Sequence, residues 1–274
     1  MLECVINVSE GRDAAAIAAL ARAGGDHTLD VHSDADHNRT VITLAGPAVE
    51  DAARSVAAAA VSTLDLKDHA GVHPRIGVLD VVPFAPFGTT GTMGGAVTAR
   101  NRFARWAADA LALPCFLYGP ERSLPDIRRG AFRELVPDTG PSDPHPTAGA
   151  CAVGARPLLV AYNLWLVAPD LALARAIARD LRSPAVRTLA LQVGDHVQVS
   201  CNLVDPSAVG PLTVFDAVAA RAAVSRAELV GLVPAAVLSA TPADRWDELD
   251  LDATKAIEAR LESAGLDGGS ASGR

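Results

Sequence analysis

Four polar clusters interrupt an otherwise aliphatic chain: Asn7-Val-Ser-Glu10-Gly11, Asp36-His-Asn38-Arg39, His69-Ala-Gly-Val-His73-Pro74-Arg75, and the Pro- and Gly-rich stretch from Gly140 to Gly149. The third is the densest in chemistry. Proline after His73 disfavours helix at that histidine and pushes it into an extended conformation. A histidine held this way exchanges protons near neutral pH, and the neighbouring Arg75 guanidinium can bind an anion. From spacing alone, the plainer reading of His73 is a self-solvating turn residue. Asn7, Asn38, Asn163 and Asn202 add amides within or beside apolar strands. Each must find hydrogen bonds if buried, as a recognition group or as a structural one.

Other chemistries find little support. His69 and His73 are four residues apart, but the stretch lacks the glutamate of the zinc-protease motif, and Gly71 and Pro74 oppose a helix. Gly91-Thr-Met-Gly-Gly95 lacks the lysine of a phosphate loop, and no G-x-S-x-G elbow is present. Metal-free acid–base chemistry at a cleft is what survives.

The elements that must position these groups are legible in outline. Cys4 to Val8 reads as a strand, Asp13 to Ala23 as a helix, and His27–His32 and Thr40–Leu44 as strands. A helix follows from Pro47 to about Thr63. The apolar run Ile76 to Val82 reads as a buried strand, followed by a helix around Asn101 to Leu113, the strand Pro114 to Tyr118, and a short helix over Leu124 to Arg129. The first order then returns: strand Pro157–Val167, helix Pro169–Leu181, strands Thr188–Val193 and His196–Leu203 joined at Gly194-Asp195, and helix Val209–Ala222. Two β-α-β-β-α runs predict an α+β protein of two α/β subdomains, each a mixed or antiparallel sheet with helices on one face. The expected boundaries are 1–152 and 153–267, with a frayed tail over 268–274.

Half of the 274 residues are hydrophobic but only 4% are aromatic, so the core is expected to be built from small aliphatic side chains. The net charge of −8 argues against nucleic acid as a partner. Lys67 and Lys255 are the only lysines, so nearly all positive charge is arginine. The four cysteines are far apart, and Cys4, Cys115 and Cys201 lie in strand-like runs, where a buried, reduced thiol is expected. No apolar run is long enough to span a membrane, and the first residues lack a signal-peptide pattern. A cytoplasmic protein without a membrane partner is expected, and the sequons at Asn7 and Asn38 are then coincidental.

Together the clusters resemble the glutamate formiminotransferase family, the folate-dependent transferases of histidine degradation and one-carbon metabolism. The matching segments run in order: C-V-I-N-V-S-E-G, D-H-N-R-T-V, H-A-G-V-H-P-R-I-G-V-L-D-V-V-P-F, L-Y-G, I-R-R-G-A-F-R-E-L, H-P-T-A-G-A, V-G-A-R-P-L-L-V-A-Y-N and V-Q-V-S-C-N-L. They span residues 3 to about 240. The resemblance implies two subdomains with a folate cleft between them, a homodimer, tetrahydrofolate as co-substrate and no metal. It places the catalytic histidine at His73 and the folate loop on Gly140, Pro141, Ser142, Asp143, Pro144, His145, Pro146, Thr147, Ala148 and Gly149. Asn7, Glu10, Asn38, Arg39, Arg75, Asn163 and Asn202 are the expected substrate contacts.

Asp143 and His145 depart from the more apolar loop of the animal enzymes, and His32 stands where those enzymes carry an acidic residue after the second strand. The resemblance covers the transferase region only, with no cyclodeaminase module. The reaction it implies carries a formimino group from N-formiminoglutamate to N5 of tetrahydrofolate. Formyl transfer to or from tetrahydrofolate with glutamate or another amino acid, and folate binding without turnover, remain open alternatives.

Overall fold

Short apolar runs, several of them buried almost end to end, organise the first part of the chain into one sheet. The computed structural model describes residues 1–67 and 69–267, which form two compact units, 1–156 and 157–267. The predicted tail over 268–274 lies outside the described residues. The first unit opens with β1 (Leu2–Val8), α1 (Ala14–Ala23), β2 (Thr28–Asp34), β3 (Arg39–Gly46) and α2 (Val49–Thr63). It continues with β4 (Leu79–Pro86), α3 (Met93–Leu111), β5 (Cys115–Tyr118), α4 (Leu124–Gly130) and β6 (Cys151–Ala155). These strands make a six-stranded sheet in the order β2-β3-β1-β4-β6-β5. Pairing is antiparallel from β2 to β4 and parallel between β6 and its two neighbours.

Helix formation follows local chemistry. The Asp13 carboxylate caps α1 by accepting from the N–H groups of Ala15 and Ala16. Along α2, Val49, Ala52, Ala53, Val56, Ala57 and Ala60 are buried, a helical face three and four residues apart. These small side chains pack with Cys4, Ile6, Ile42, Leu44 and Phe84 in the main core, which is aliphatic as the composition implies. The helix α3 begins at Met93, well ahead of the predicted Asn101, with Thr92 as its cap. Gly94 and Gly95 in its first turn mask it in a propensity reading.

One departure from the predicted layering concerns α4. Val81, Phe116 and Ala152 share a cross-strand row, and Ile127 of α4 packs with them in a separate cluster. Val82, Val153 and Leu117 face the main core instead. The first sheet is therefore covered by α4 on the face opposite α2 and α3. The strand Cys151–Ala155 also belongs wholly to the first sheet, so the division falls after Arg156, not after residue 152.

The second unit contains β7 (Val160–Leu166), α5 (Leu171–Leu181), β8 (Val186–Val193), β9 (His196–Leu203), α6 (Pro211–Ala219) and β10 (Val224–Val230). Two further helices follow, α7 (Ala235–Ser239) and α8 (Ile257–Ser263). The four-stranded sheet runs β10-β7-β9-β8, antiparallel throughout. Read from the other edge, β8-β9-β7-β10 repeats the β2-β3-β1-β4 order of the first unit. Val193 pairs with His196 across the predicted Gly194-Asp195 turn, where Gly194 adopts φ +55°. Tyr162, Leu164, Ile177, Val199, Cys201 and Val214 build a second core.

Candidate active site

Three loops are laced together at one end of the first sheet. The first leaves β1: Ser9 donates its backbone N–H to Val78 O (2.8 Å) and its hydroxyl to Gly77 O (2.8 Å). The second is the β2–β3 turn, where Asn38 adopts φ +48° and is 6% exposed. Its amide oxygen accepts from Gly11 N–H (2.9 Å), and its amide nitrogen donates to Ala70 O (3.1 Å). The third carries His69 to Arg75. Gly71 has no room for a side chain, since a Cβ there would lie 2.4 Å from His37 O and 2.9 Å from Asn38 Cβ. The side chain of Arg75 folds back to donate to Gly71 O (2.7 Å).

The expected strand over Ile76 to Val82 begins at Leu79, and residues 76–78 are instead an irregular lead fastened to the 145–150 loop. Val78 N–H donates to Ala148 O (3.0 Å), and Ala150 N–H to Ile76 O (2.9 Å). Gly149, at φ +70°, lets the loop pass close to Ile76 O. Within that loop His145 and Gly149 exchange backbone hydrogen bonds, and His145 Nδ1 accepts from Ala148 N–H (3.0 Å). Of the predicted folate segment, Gly140 to Pro144 are exposed, while Ala148 and Gly149 are buried.

Asp80 lies inside β4 and is 2% exposed. It accepts from Ile76 N–H (2.7 Å) and forms a bidentate pair with Arg128 of α4, whose Nη1 is 2.6 Å from Oδ1 and whose Nη2 meets Oδ2. The half-buried His73 sits in this electropositive neighbourhood. Its pKa is lowered to about 2, first by burial and then by the charges of Arg39, Arg128 and His37. The ring is therefore neutral and has a lone pair available at neutral pH. The pKa of His69 is also lowered, by burial and by Arg75, while its Nε2 lies 3.0 Å from Asn38 O.

The predicted site residues divide accordingly. His73, Arg39, Arg75, Asn38 and the 145–149 segment converge in the first unit. The amide of Asn38 is occupied by two backbone groups, which makes it a scaffold for these loops. Glu10 accepts from the N–H groups of Arg12 (2.7 Å) and Asp13 (2.9 Å), so its carboxylate shapes the entry to α1. Asn7 and His32 lie in one cross-strand row, each paired with Val41. Asn163 and Asn202 belong to the second unit. Asn163 donates to Glu228 Oε2 (3.1 Å), which also accepts from Trp165 Nε1 (2.9 Å), and Asn202 is exposed on β9.

Sequence reasoning missed Arg128 and Asp34, and it placed His37 in a polar cluster without giving it a role. Arg128 stands within the I-R-R-G segment, but nothing in its spacing links it to residue 80. The Asp34-Ala-Asp-His37 spacing was a usable signal, because an aspartate two or three residues ahead readily caps such a turn. Among the described residues no group of three His, Cys, Asp or Glu side chains could hold a metal ion, and no helix is long and apolar enough to cross a membrane. All four cysteines are buried and unpaired by disulfides.

A neutral imidazole flanked by guanidinium groups, set in rigidly joined loops, can bind anions and exchange protons. Comparison with known proteins gives this arrangement its family. The model of the formiminotransferase domain, N-terminal subdomain, matches residues 1–156, the first compact unit. The glutamate formimidoyltransferase of Streptococcus pyogenes is 33% identical over 271 residues, covering 87% of this chain and 90% of that protein. A protein of the same description from Thermoplasma acidophilum is 34% identical over 269 residues, 85% of this chain and 88% of its own length. The formimidoyltransferase-cyclodeaminase of Sus scrofa is 36% identical over 273 residues, but the match takes in only 50% of that longer protein. The chain belongs to the formiminotransferase family.

Proposed function

We propose that this protein is a glutamate formimidoyltransferase, moving the formimino group of N-formimino-L-glutamate to N5 of tetrahydrofolate. The observation that carries the reading is the fastening of the His73 loop to the 145–150 loop, with Arg39 and Arg128 acting on the His73 ring. The relatives named for this activity, matched along most of their length, support it.

N5 attacks the amidine-like carbon, forming an N5–C bond and a tetrahedral intermediate. His73, neutral in the free protein, takes the proton that N5 loses. Breaking the bond from carbon to the glutamate nitrogen then requires a proton on that nitrogen, which His73 returns, so the enzyme ends as it began. Arg39 and Arg75 bind carboxylates of the glutamate or of the folate tail. An arriving carboxylate offsets the positive charge around His73, which makes its imidazolium easier to form in the complex than in the free protein. Rigid loops matter as much, because two reactants must be held in line. No protein metal ligand enters the scheme. The reaction is proposed to run in the cytoplasm with a homodimer as the working unit.

Purified protein mixed with tetrahydrofolate and N-formiminoglutamate is expected to produce 5-formimino-tetrahydrofolate over many turnovers, read by absorbance after acid conversion to the methenyl form. A protein that binds folate without producing it, while accepting a formyl donor, would overturn the formimino assignment.

A further inference from the structure

Asp34 and His37 form a second ionisable pair in the same loop cluster, and the reaction scheme gives neither a role. Asp34 closes β2, where its Oδ1 accepts from the backbone N–H groups of Asp36 (2.9 Å) and His37 (2.7 Å). These two bonds suffice to shape the turn. The second oxygen, Oδ2, lies 3.0 Å from Nδ1 of His37. Burial raises the Asp34 pKa, but hydrogen bonds from the His37 side chain and backbone and the charge of His37 more than reverse this, and the carboxyl is held well below its usual range. The pair is therefore anchored by an ionised carboxylate.

The His37 ring is buried, and its centroid is 6.4 Å from that of His73 with the planes tilted by 58°. The loops bearing the two rings are fixed to each other. Val72 N–H donates to Asp36 O (3.4 Å), Asn38 bonds Ala70 O, and Gly71 packs on His37 O. The joined loops hold the two imidazoles near each other, and the carboxylate behind His37 keeps a hydrogen on its Nδ1.

We infer that Asp34 and His37 are positioning residues for His73, the carboxylate holding the Nδ1 hydrogen and the plane of the His37 ring and His37 in turn fixing the orientation of the His73 ring. The kinetic part of this inference rests on the proposed transfer reaction. His73 takes one proton from the attacking amine and returns it to the departing nitrogen, and the Asp34–His37 pair gains and loses none over the cycle.

Asp34→Asn retains an oxygen for the two turn N–H groups and removes the charged acceptor at His37 Nδ1. His37→Gln removes the imidazole. Each is expected to lower kcat about 10- to 100-fold, the scale of a disturbed proton transfer, with KM for both substrates within about threefold of wild type. The double variant is expected to be no slower than the slower single one, because the two residues act as a unit. A kcat within about twofold of wild type in both single variants, or losses that multiply, would overturn the inference.

A second reading needs no turnover. In ¹⁵N-histidine NMR spectra of the free protein, the His73 ring resonances, assigned by their loss in His73→Asn, are expected to move in Asp34→Asn. Unmoved His73 resonances overturn the positioning role whatever the kinetics. Resonances that move in Asp34→Asn, together with a wild-type protein that does not turn over N-formiminoglutamate, would uphold the positioning role and refute the assigned reaction instead.

Discussion

A half-buried histidine among guanidinium groups leaves a pH signature in stability. Unfolded, His73 takes a proton near its ordinary 6.5, whereas in the folded protein its pKa falls to about 2. Between those values the unfolded chain binds the extra proton, so folding stability falls as pH drops below about 6.5. Asp34 works in the same direction but at lower pH: its lowered pKa stabilises the fold above the unfolded carboxyl value of about 3.9, and that contribution is lost only below it. From pH 6.5 to 4.5 the histidine effect should therefore dominate this cluster, with His69 contributing in the same direction. We expect the midpoint of urea unfolding to fall less steeply over this range in His73→Asn than in wild type, and parallel profiles would refute this account of His73. At this scale the sequence singled out His73 and Arg75 as candidates because an H-P-R run constrains its own backbone. It could not reveal that Arg128 joins them, since a bidentate pair with Asp80 forms only when α4 docks on the sheet.

Loop geometry, more than strand or helix identity, carries the site. Asn38 combines a left-handed backbone with two hydrogen bonds that join separate loops. Replacing it with alanine removes both bonds, at about 1 kcal/mol each, and strains φ by a further 1–2 kcal/mol. Asn38→Ala should thus lose about 3–4 kcal/mol in urea unfolding, and a loss under 1 kcal/mol would contradict the scaffold role. Gly71→Ala forces a methyl against His37 O and should part the two loops. We expect kcat/KM to fall at least about tenfold with a smaller effect on the strands' hydrogen-exchange protection. Undiminished kcat/KM would mean that the loop spacing is not needed. Elements with clean periodicity, such as α2, were legible in the sequence, and so was the β8–β9 turn. The early start of α3 and the late start of β4 were not. The first hides behind Gly94 and Gly95, and the second depends on hydrogen bonds from residues 148 and 150 that lie far along the chain.

Two units share one strand order, which is the part of the architecture the repeated β-α-β-β-α pattern made visible. The β6–β5 extension of the first unit was harder to read, because parallel pairing with β4 brings together segments about seventy residues apart. The placement of α4 on the opposite face was invisible for the same reason. Each unit has its own core. Ile177→Ala, in the second, should cost about 2–5 kcal/mol and reduce amide protection first in β7 to β10. Protection lost first in β1 to β6 would argue against a separate second core. The predicted chemistry of the whole molecule centres on His73 in the first unit, and replacing that one side chain tests it most directly. Steady-state transfer from N-formiminoglutamate to tetrahydrofolate should fall by about 10²- to 10⁴-fold in His73→Asn, while calorimetry shows tetrahydrofolate binding within a few-fold of wild type. A variant that binds folate and transfers the group at the wild-type rate would contradict the assignment of His73 as the proton carrier.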